Sequence, residues 1–130
     1  MRRNLEQTRE FFKDDRFAVY NGITIDEVGE GYAKCSMEIN ENHLNARSNV
    51  MGGAIFTLAD LCFGAASDGQ AVSMTSDINF LSPGIGPKLW AEAHLIRDGR
   101  TTVFYEVKVM EESRVVAYVT IRGYVIQKNG

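Results

Sequence analysis

Apolar residues crowd into one stretch of the chain. From 54 to 66 the residues run Ala-Ile-Phe-Thr-Leu-Ala-Asp-Leu-Cys-Phe-Gly-Ala-Ala, and only Thr57 and Asp60 carry polar side chains. A helix that is apolar on nearly every face is a buried one. This one is too short to cross a bilayer, which takes about 20 residues. The pattern predicts a buried central helix over roughly 53–67, ended by Asp68-Gly69, with Asp60 as an ionisable group in a core. Elsewhere the period is two. Residues 32–39 alternate, with Ala33, Cys35, Met37 and Ile39 on one side and Tyr32, Lys34, Ser36 and Glu38 on the other, as a half-buried strand does. Residues 72–81 alternate as well, setting Val72, Met74, Ser76, Ile78 and Phe80 against Ser73, Thr75, Asp77 and Asn79.

The remaining elements follow from turn signals. Leu5, Thr8, Phe11 and Phe12 have helical spacing over 4–13, and residues 22–28 read as a strand joined to 32–39 through Gly29-Glu30-Gly31. Residues 40–50 are a polar loop. Both prolines of the chain fall at 83 and 87 and break the pattern there, in a segment placed to gate a pocket. Strands at 88–96, 101–110 and 115–127 complete a meander, with turns at Asp98-Gly99 and 111–114. The sum is an α+β chain, one mostly antiparallel sheet of five or six strands that must wrap a helix with no polar face to show water.

Two features of the helix suggest chemistry. Burial raises a carboxyl pKa, so Asp60 is either held by loop backbone or a neighbouring Ser, Thr or Arg, or it is a catalytic base or nucleophile. Gly52 and Gly53 open the helix, where backbone N–H groups lack intrahelical partners. The pair is a tight turn or an oxyanion hole. At 1.5 Å per residue, Gly52 and Asp60 lie about 12 Å apart along one helix, too far to act on the same atom. If both do chemistry, a carboxylate and an N–H group from two different chains meet at each site, which predicts a symmetric dimer.

Composition narrows the class. The 130 residues suit a single domain over 1–130, and 45% apolar with 24% charged is ordinary for a globular protein. A net charge of -3 without a Lys/Arg block argues against nucleic acid as a partner. No apolar run follows the basic start and none reaches membrane length, so no signal peptide or membrane association is expected, and the expected location is the cytoplasm. Cys35 and Cys62 read as core residues in a reducing compartment, and with His43 and His94 they match no metal-ligand spacing.

Asn45, Met-Gly-Gly at 51–53, Leu-Ala-Asp at 58–60, Ser73 and Asn-Phe-Leu-Ser-Pro at 79–83 together resemble the hotdog-fold acyl-CoA thioesterases of the phenylacetic-acid-pathway type. The likeness spans roughly residues 5–127. It implies a hotdog fold, a sheet around one long helix, and a homodimer, often a dimer of dimers. It also implies that the Gly52 N–H, with Asn45, polarises a thioester carbonyl, that Asp60 of the partner subunit activates or supplies the nucleophile, and that Ser73 places a water. Coenzyme A would enter as part of the substrate, with no separate cofactor and no metal. Those enzymes commonly carry His before the two glycines, whereas this chain has Met51, which donates no hydrogen bond. The competing fold, a cystatin-like or nuclear-transport-factor-like curved sheet, puts the long helix before most strands, whereas here it follows two.

Further substrate contacts are candidates by position. Met51 and Gly53 flank Gly52; His43 and Arg47 share the loop with Asn45; Thr75 shares the expected polar strand face with Ser73. Arg97 and Arg100 flank the Asp98-Gly99 turn and could clamp a coenzyme A phosphate, or form a solvated hairpin tip. Phe56, Met74, Phe80 and Leu81 are candidates for the acyl pocket, without discriminating an aromatic from an aliphatic group. Two rivals share the fold: a dehydratase, which would want a His where Met51 stands, and a noncatalytic acyl-CoA binder.

Overall fold

The computed structural model describes residues 2–127; residues 1 and 128–130, which the single-domain reading takes in, lie outside it. Helix α1 (Leu5–Phe12) starts behind Asn4, whose side chain accepts from the Gln7 N–H while the Gln7 side chain accepts from the Asn4 N–H. That reciprocal cap satisfies two donors left free at a helix start. Helix α2 (Arg16–Tyr20) has no counterpart in the sequence pattern, because five residues are too few to show a period. Strands β1 (Ile23–Gly29) and β2 (Tyr32–Glu38) form a hairpin through Gly31, whose φ of 62° suits glycine. A polar loop with a 3-10 turn at Glu41–His43 leads to α3 (Gly52–Ala66). The chain then runs through β3 (Ala71–Phe80), β4 (Lys88–Asp98), β5 (Thr102–Glu111) and β6 (Arg114–Val125).

The strands make one six-stranded antiparallel sheet in the order β1-β2-β4-β5-β6-β3. All six touch α3, which is the expected hotdog arrangement. Small side chains let the helix sit close. Ala33 on β2 and Ala91 on β4 are fully buried, and the Cys62 Sγ lies 3.4 Å from both their carbonyl oxygens, either of which can accept its one S–H. Leu58, Leu89, Val107 and Ile121 fill the larger spaces, each contributing about 1.5–3 kcal/mol by leaving water. The far end of α3 is capped by Arg2, which donates to the carbonyls of Ala65 (2.6 Å), Ala66 (3.0 Å) and, across the gap, Gly29 (2.7 Å). No helix among the described residues is long and apolar enough to cross a membrane.

Three sequence expectations are corrected. First, the sheet covers α3 over only part of its circumference: Gly53 is exposed and Phe56, Thr57, Asp60 and Gly64 are partly so, a stripe at helical spacing. Asp60 is therefore half-buried at an opening, not enclosed in a core. Second, the alternation over 72–81 breaks at a bulge between Ser73 and Thr75. Ser73, Ser76, Ile78 and Phe80 pair with Gly123, Ile121, Val119 and Ala117 on the helix side, while Thr75, Asp77 and Asn79 pair with Arg122, Thr120 and Tyr118 on the outer side. Third, the 82–87 segment is pinned. Glu111 accepts from the Ile85 and Gly86 N–H groups at 2.8 and 2.7 Å, and Arg114 donates to Ser82 Oγ at 2.8 Å and to the Pro83 carbonyl at 2.5 Å. It buttresses the loop before α3 through the bond from Val50 N–H to the Gly84 carbonyl, 2.7 Å.

The two edges of the sheet differ. Along β1 the pairing is bulged between Ile25 and Glu27, and Arg9 Nε donates to the Ile25 carbonyl at 2.9 Å. Strand β3 is exposed along almost its whole length, with Val72, Met74 and Phe80 at 49%, 54% and 54%.

Candidate active site

Asp60 opens into a cavity of about 470 Å³. One wall is α3, from Phe56 and Thr57 through Asp60 to Gly64; the second is Ala71, Val72 and Ser73 of β3; the third is Phe12, Asp15, Phe17 and Ala18 of the N-terminal segment. The β3 bulge turns Ser73 inward, to the side of β3 that faces α3 and the Asp60 carboxylate. Burial pushes the Asp60 carboxyl above its usual range, the Ser73 hydrogen bond draws it back in part, and the like charge of Asp15 pushes it further up. The carboxylate is thus less solvated and more basic than a free one. One turn before it, Thr57 Oγ1 donates to the Gly53 carbonyl at 2.7 Å.

The start of α3 is built by the preceding loop. Asn45 Oδ1 accepts from the Arg47 and Asn49 N–H groups at 2.9 and 3.1 Å, and a bridge between Leu44 and Val50 closes the turn. Met51, the N-cap, makes no side-chain cap; its N–H donates to the His43 carbonyl at 2.8 Å, and its side chain is 54% exposed. The Gly52 and Gly53 N–H groups take no backbone acceptor outside the helix among the described residues, as expected of a first turn. The ring of Phe80 lies over Gly52, where an added Cβ would come within 2.9 Å of Phe80 Cζ; a Cβ on Gly53 would meet nothing within 4 Å.

The structure sorts the remaining candidates. His43 is buried and both ring nitrogens are engaged: Nδ1 accepts from the Asn40 N–H at 3.1 Å and Nε2 faces Asn21 Oδ1 at 3.2 Å. It clips the loop together and has no ring nitrogen left for a ligand. Arg47 is exposed, and the groups acting on Asp60 are Ser73 and Asp15 rather than Arg47. Thr75 faces away from α3. Arg97 pairs with Phe104, which pairs with Arg122, which pairs with Thr75, a row on the outer face of the sheet. Arg97 and Arg122 border a small 180 Å³ depression there, and Arg100 sits exposed in the adjacent turn. Within one chain none of these converges on Asp60. Of the acyl-pocket candidates Phe56 lines the cavity; Met74 and Leu81 lie exposed, and Phe80 covers Gly52. Sequence reasoning missed the third wall, because nothing in 12–18 marks it except apolar residues that also fit a surface helix. Thr57 was legible as the i−3 neighbour of Asp60 on the same helix face.

A six-stranded antiparallel sheet wrapped on one helix defines a hotdog protein. The thioesterase-superfamily profile matches residues 48–118, more than half of the chain, and the chain belongs to that family. The acyl-coenzyme A thioesterase PaaI of Escherichia coli is 32% identical over 107 residues, 79% of this chain and 76% of its own length. The human acyl-coenzyme A thioesterase 13 is 29% identical over 103 residues, 73% and 72%. Among solved structures, the E. coli PaaI protein from the phenylacetic acid degradation operon superposes with a TM-score of 0.88 at 28% identity, covering 95% of this chain and 94% of that one. A Streptococcus pneumoniae thioesterase solved with coenzyme A gives 0.82 at 28%, covering 92% and 99%.

Proposed function

We propose that the chain is a cytoplasmic acyl-CoA thioesterase that hydrolyses an acyl- or aryl-CoA thioester to the free acid and coenzyme A. The observation that carries the reading is the half-buried Asp60 with Ser73 at the wall of one cavity, both inside the span matched by the family profile. Asp60 acts as general base. It takes a proton from a water that Ser73 helps place, the water oxygen bonds to the thioester carbon, and the charge on the carbonyl oxygen falls to the Gly52 N–H with Asn45 beside it. Collapse then breaks the C–S bond, the proton held by Asp60 passes to the leaving thiolate, and the Asp60 carboxylate is restored. A carboxylate whose pKa is raised toward the working pH suits this role, and aimed backbone donors supply the larger electrostatic share. The reaction needs no separate cofactor.

The active unit is a homodimer, itself pairing into a dimer of dimers, because Gly52 and Asp60 stand about 12 Å apart along α3. The apolar open edge of β3 and the uncovered stripe of α3 are the surfaces on which a second copy would place its Gly52 against Asp60. Met51 and Gly53 border the thioester there. Arg47, exposed on the loop that holds Asn45, is the contact for a coenzyme A phosphate, ahead of the outer-face Arg97 and Arg100. The two free, fully buried thiols, Cys35 and Cys62, accord with a reducing compartment.

The test is free-thiol release from a panel of aryl, short-chain and long-chain acyl-CoAs, with wild type and Asp60→Asn side by side. Turnover by the wild type that drops about 10²–10⁴-fold in the variant supports the assignment. Binding without thiol release by either protein makes the chain an acyl-CoA binder instead.

A further inference from the structure

Phe12, with Ala18 and Leu61, stands between two cavities. On one side is the 470 Å³ chamber that holds Asp60; on the other is a second cavity of 280 Å³ between the N-terminal helices and β1, lined by Val19, Ile23 and Ile25 with Arg9 and Lys13 toward solvent. Phe12, Ala18 and Leu61 border both. Phe12 also closes the chamber against α3, since a Cβ on Gly64 would come within 3.3 Å of its ring. Gly64 lies one turn past Asp60. By helical rise the Phe12 ring therefore meets α3 about 6 Å along the axis from Asp60, one turn from the carboxylate.

The partition is braced. Phe12 packs edge to face on Phe11, with centroids 5.0 Å apart and planes at 83°. The Arg3 guanidinium stacks 3.9 Å above the Phe11 ring and pairs at 3.1 Å with Asp68, which is 3% exposed just past the end of α3. Phe12 is therefore tied back to the helix that carries Asp60. Its own residue number falls outside the 48–118 span that the family profile describes, so this wall belongs to the part of the chain that the profile does not match.

We propose that Phe12 is the specificity-determining end wall of the acyl site: it restricts the substrate to compact acyl groups and keeps longer chains out of the apolar cavity behind it. This rests on the thioesterase reading above. Opening the partition joins the two cavities, and a long alkyl chain then passes from Asp60 into the space beside Ile23 and Ile25.

The test is thiol release from acetyl-, phenylacetyl- and palmitoyl-CoA by wild type, Phe12→Ala, Phe12→Leu and Gly64→Ala. Wild type should favour phenylacetyl- over palmitoyl-CoA in kcat/KM. Phe12→Ala should raise the palmitoyl-to-phenylacetyl ratio by about tenfold or more, within the range that a few methylenes in a pocket produce, and Phe12→Leu should raise it less. Gly64→Ala should move the other way, lowering phenylacetyl relative to acetyl turnover. The leucine variant keeps the site filled, so loss of fold in the alanine variant does not remove the test. Equal wild-type turnover of palmitoyl and phenylacetyl thioesters, or a ratio that Phe12 variants leave unmoved, overturns the end wall while hydrolysis itself stands. Release from no thioester by any of the proteins is a different result: it removes the thioesterase reading and the end wall with it.

Discussion

Replacing Gly52 by proline separates the backbone donor from everything else at the start of α3. Gly52 is the first helical residue, the position where proline is best tolerated because the missing N–H has no intrahelical partner. Met51 before it has φ -61° and ψ 139°, the extended conformation that a residue preceding proline adopts. The steric cost comes from Phe80, whose Cζ would lie 2.9 Å from the new Cβ. Because Phe80 is 54% exposed, its ring can withdraw. That puts the penalty at about 1 kcal/mol, the low end for overpacking, and the stiffer unfolded chain returns about 0.4–1 kcal/mol. Gly52→Ala meets the same ring and keeps the N–H, so it is the matched control. If Gly52 N–H holds the developing oxyanion, the proline variant should lose about 10²–10³ in kcat relative to the alanine variant, or about 2.7–4 kcal/mol. Both should melt within a few degrees of the wild type. The assay is steady-state thiol release beside thermal unfolding by circular dichroism. Equal kcat for the two variants, with both folded, would refute the oxyanion role of this N–H.

Two further results follow from the same geometry. Burial holds the Asp60 proton in the folded chain above the ordinary carboxylate value of 3.8; the native state therefore binds more protons than the unfolded one just above that value, and stability falls as pH rises through the folded pKa. Asp60→Asn should melt higher than wild type at neutral pH and converge with it in acid, while wild-type hydrolysis loses activity on the acid side through the same raised pKa; an equal melting difference at both pH values would contradict the buried-charge cost. Mixing inactive Asp60→Asn chains with inactive Gly52→Pro chains, after dissociation and reassociation, should restore about a quarter of wild-type activity, since half the dimers are mixed and each has one intact site; no recovery in confirmed mixed dimers would place both groups in one chain's site.

The fold was legible because its strongest signals are long and periodic. An apolar run around Asp60 and period-two strands on either side determine a sheet around a helix, and the helix start at Gly52 is visible as a polar loop meeting two glycines. Local irregularity was not legible. A single inserted residue at Met74 reverses which side of β3 the following residues face, so Ser73 and Thr75 look alike in sequence and part company in the structure. His43 looked available because a loop histidine carries no mark of its partners; Asn40 and Asn21 occupy it only once the hairpin and α2 are in place. The wall made by Phe12, Asp15 and Ala18 depends on a tertiary return of residues 5–20 to α3, which no local pattern encodes.

The unequal edges of the sheet bear on how far association can run. A strand edge with free N–H and C=O groups is a template for another strand, and a sheet with two such edges can grow into a filament. In this chain the β1 edge is spoiled for that purpose: its pairing is bulged, Arg9 has taken the Ile25 carbonyl, and Asp26 and Glu27 stand beside it. Among the described residues only the β3 edge is left open. Edge-to-edge addition through β3 would use that one template on each copy, so strand pairing by this route would terminate at two chains and leave no growing end.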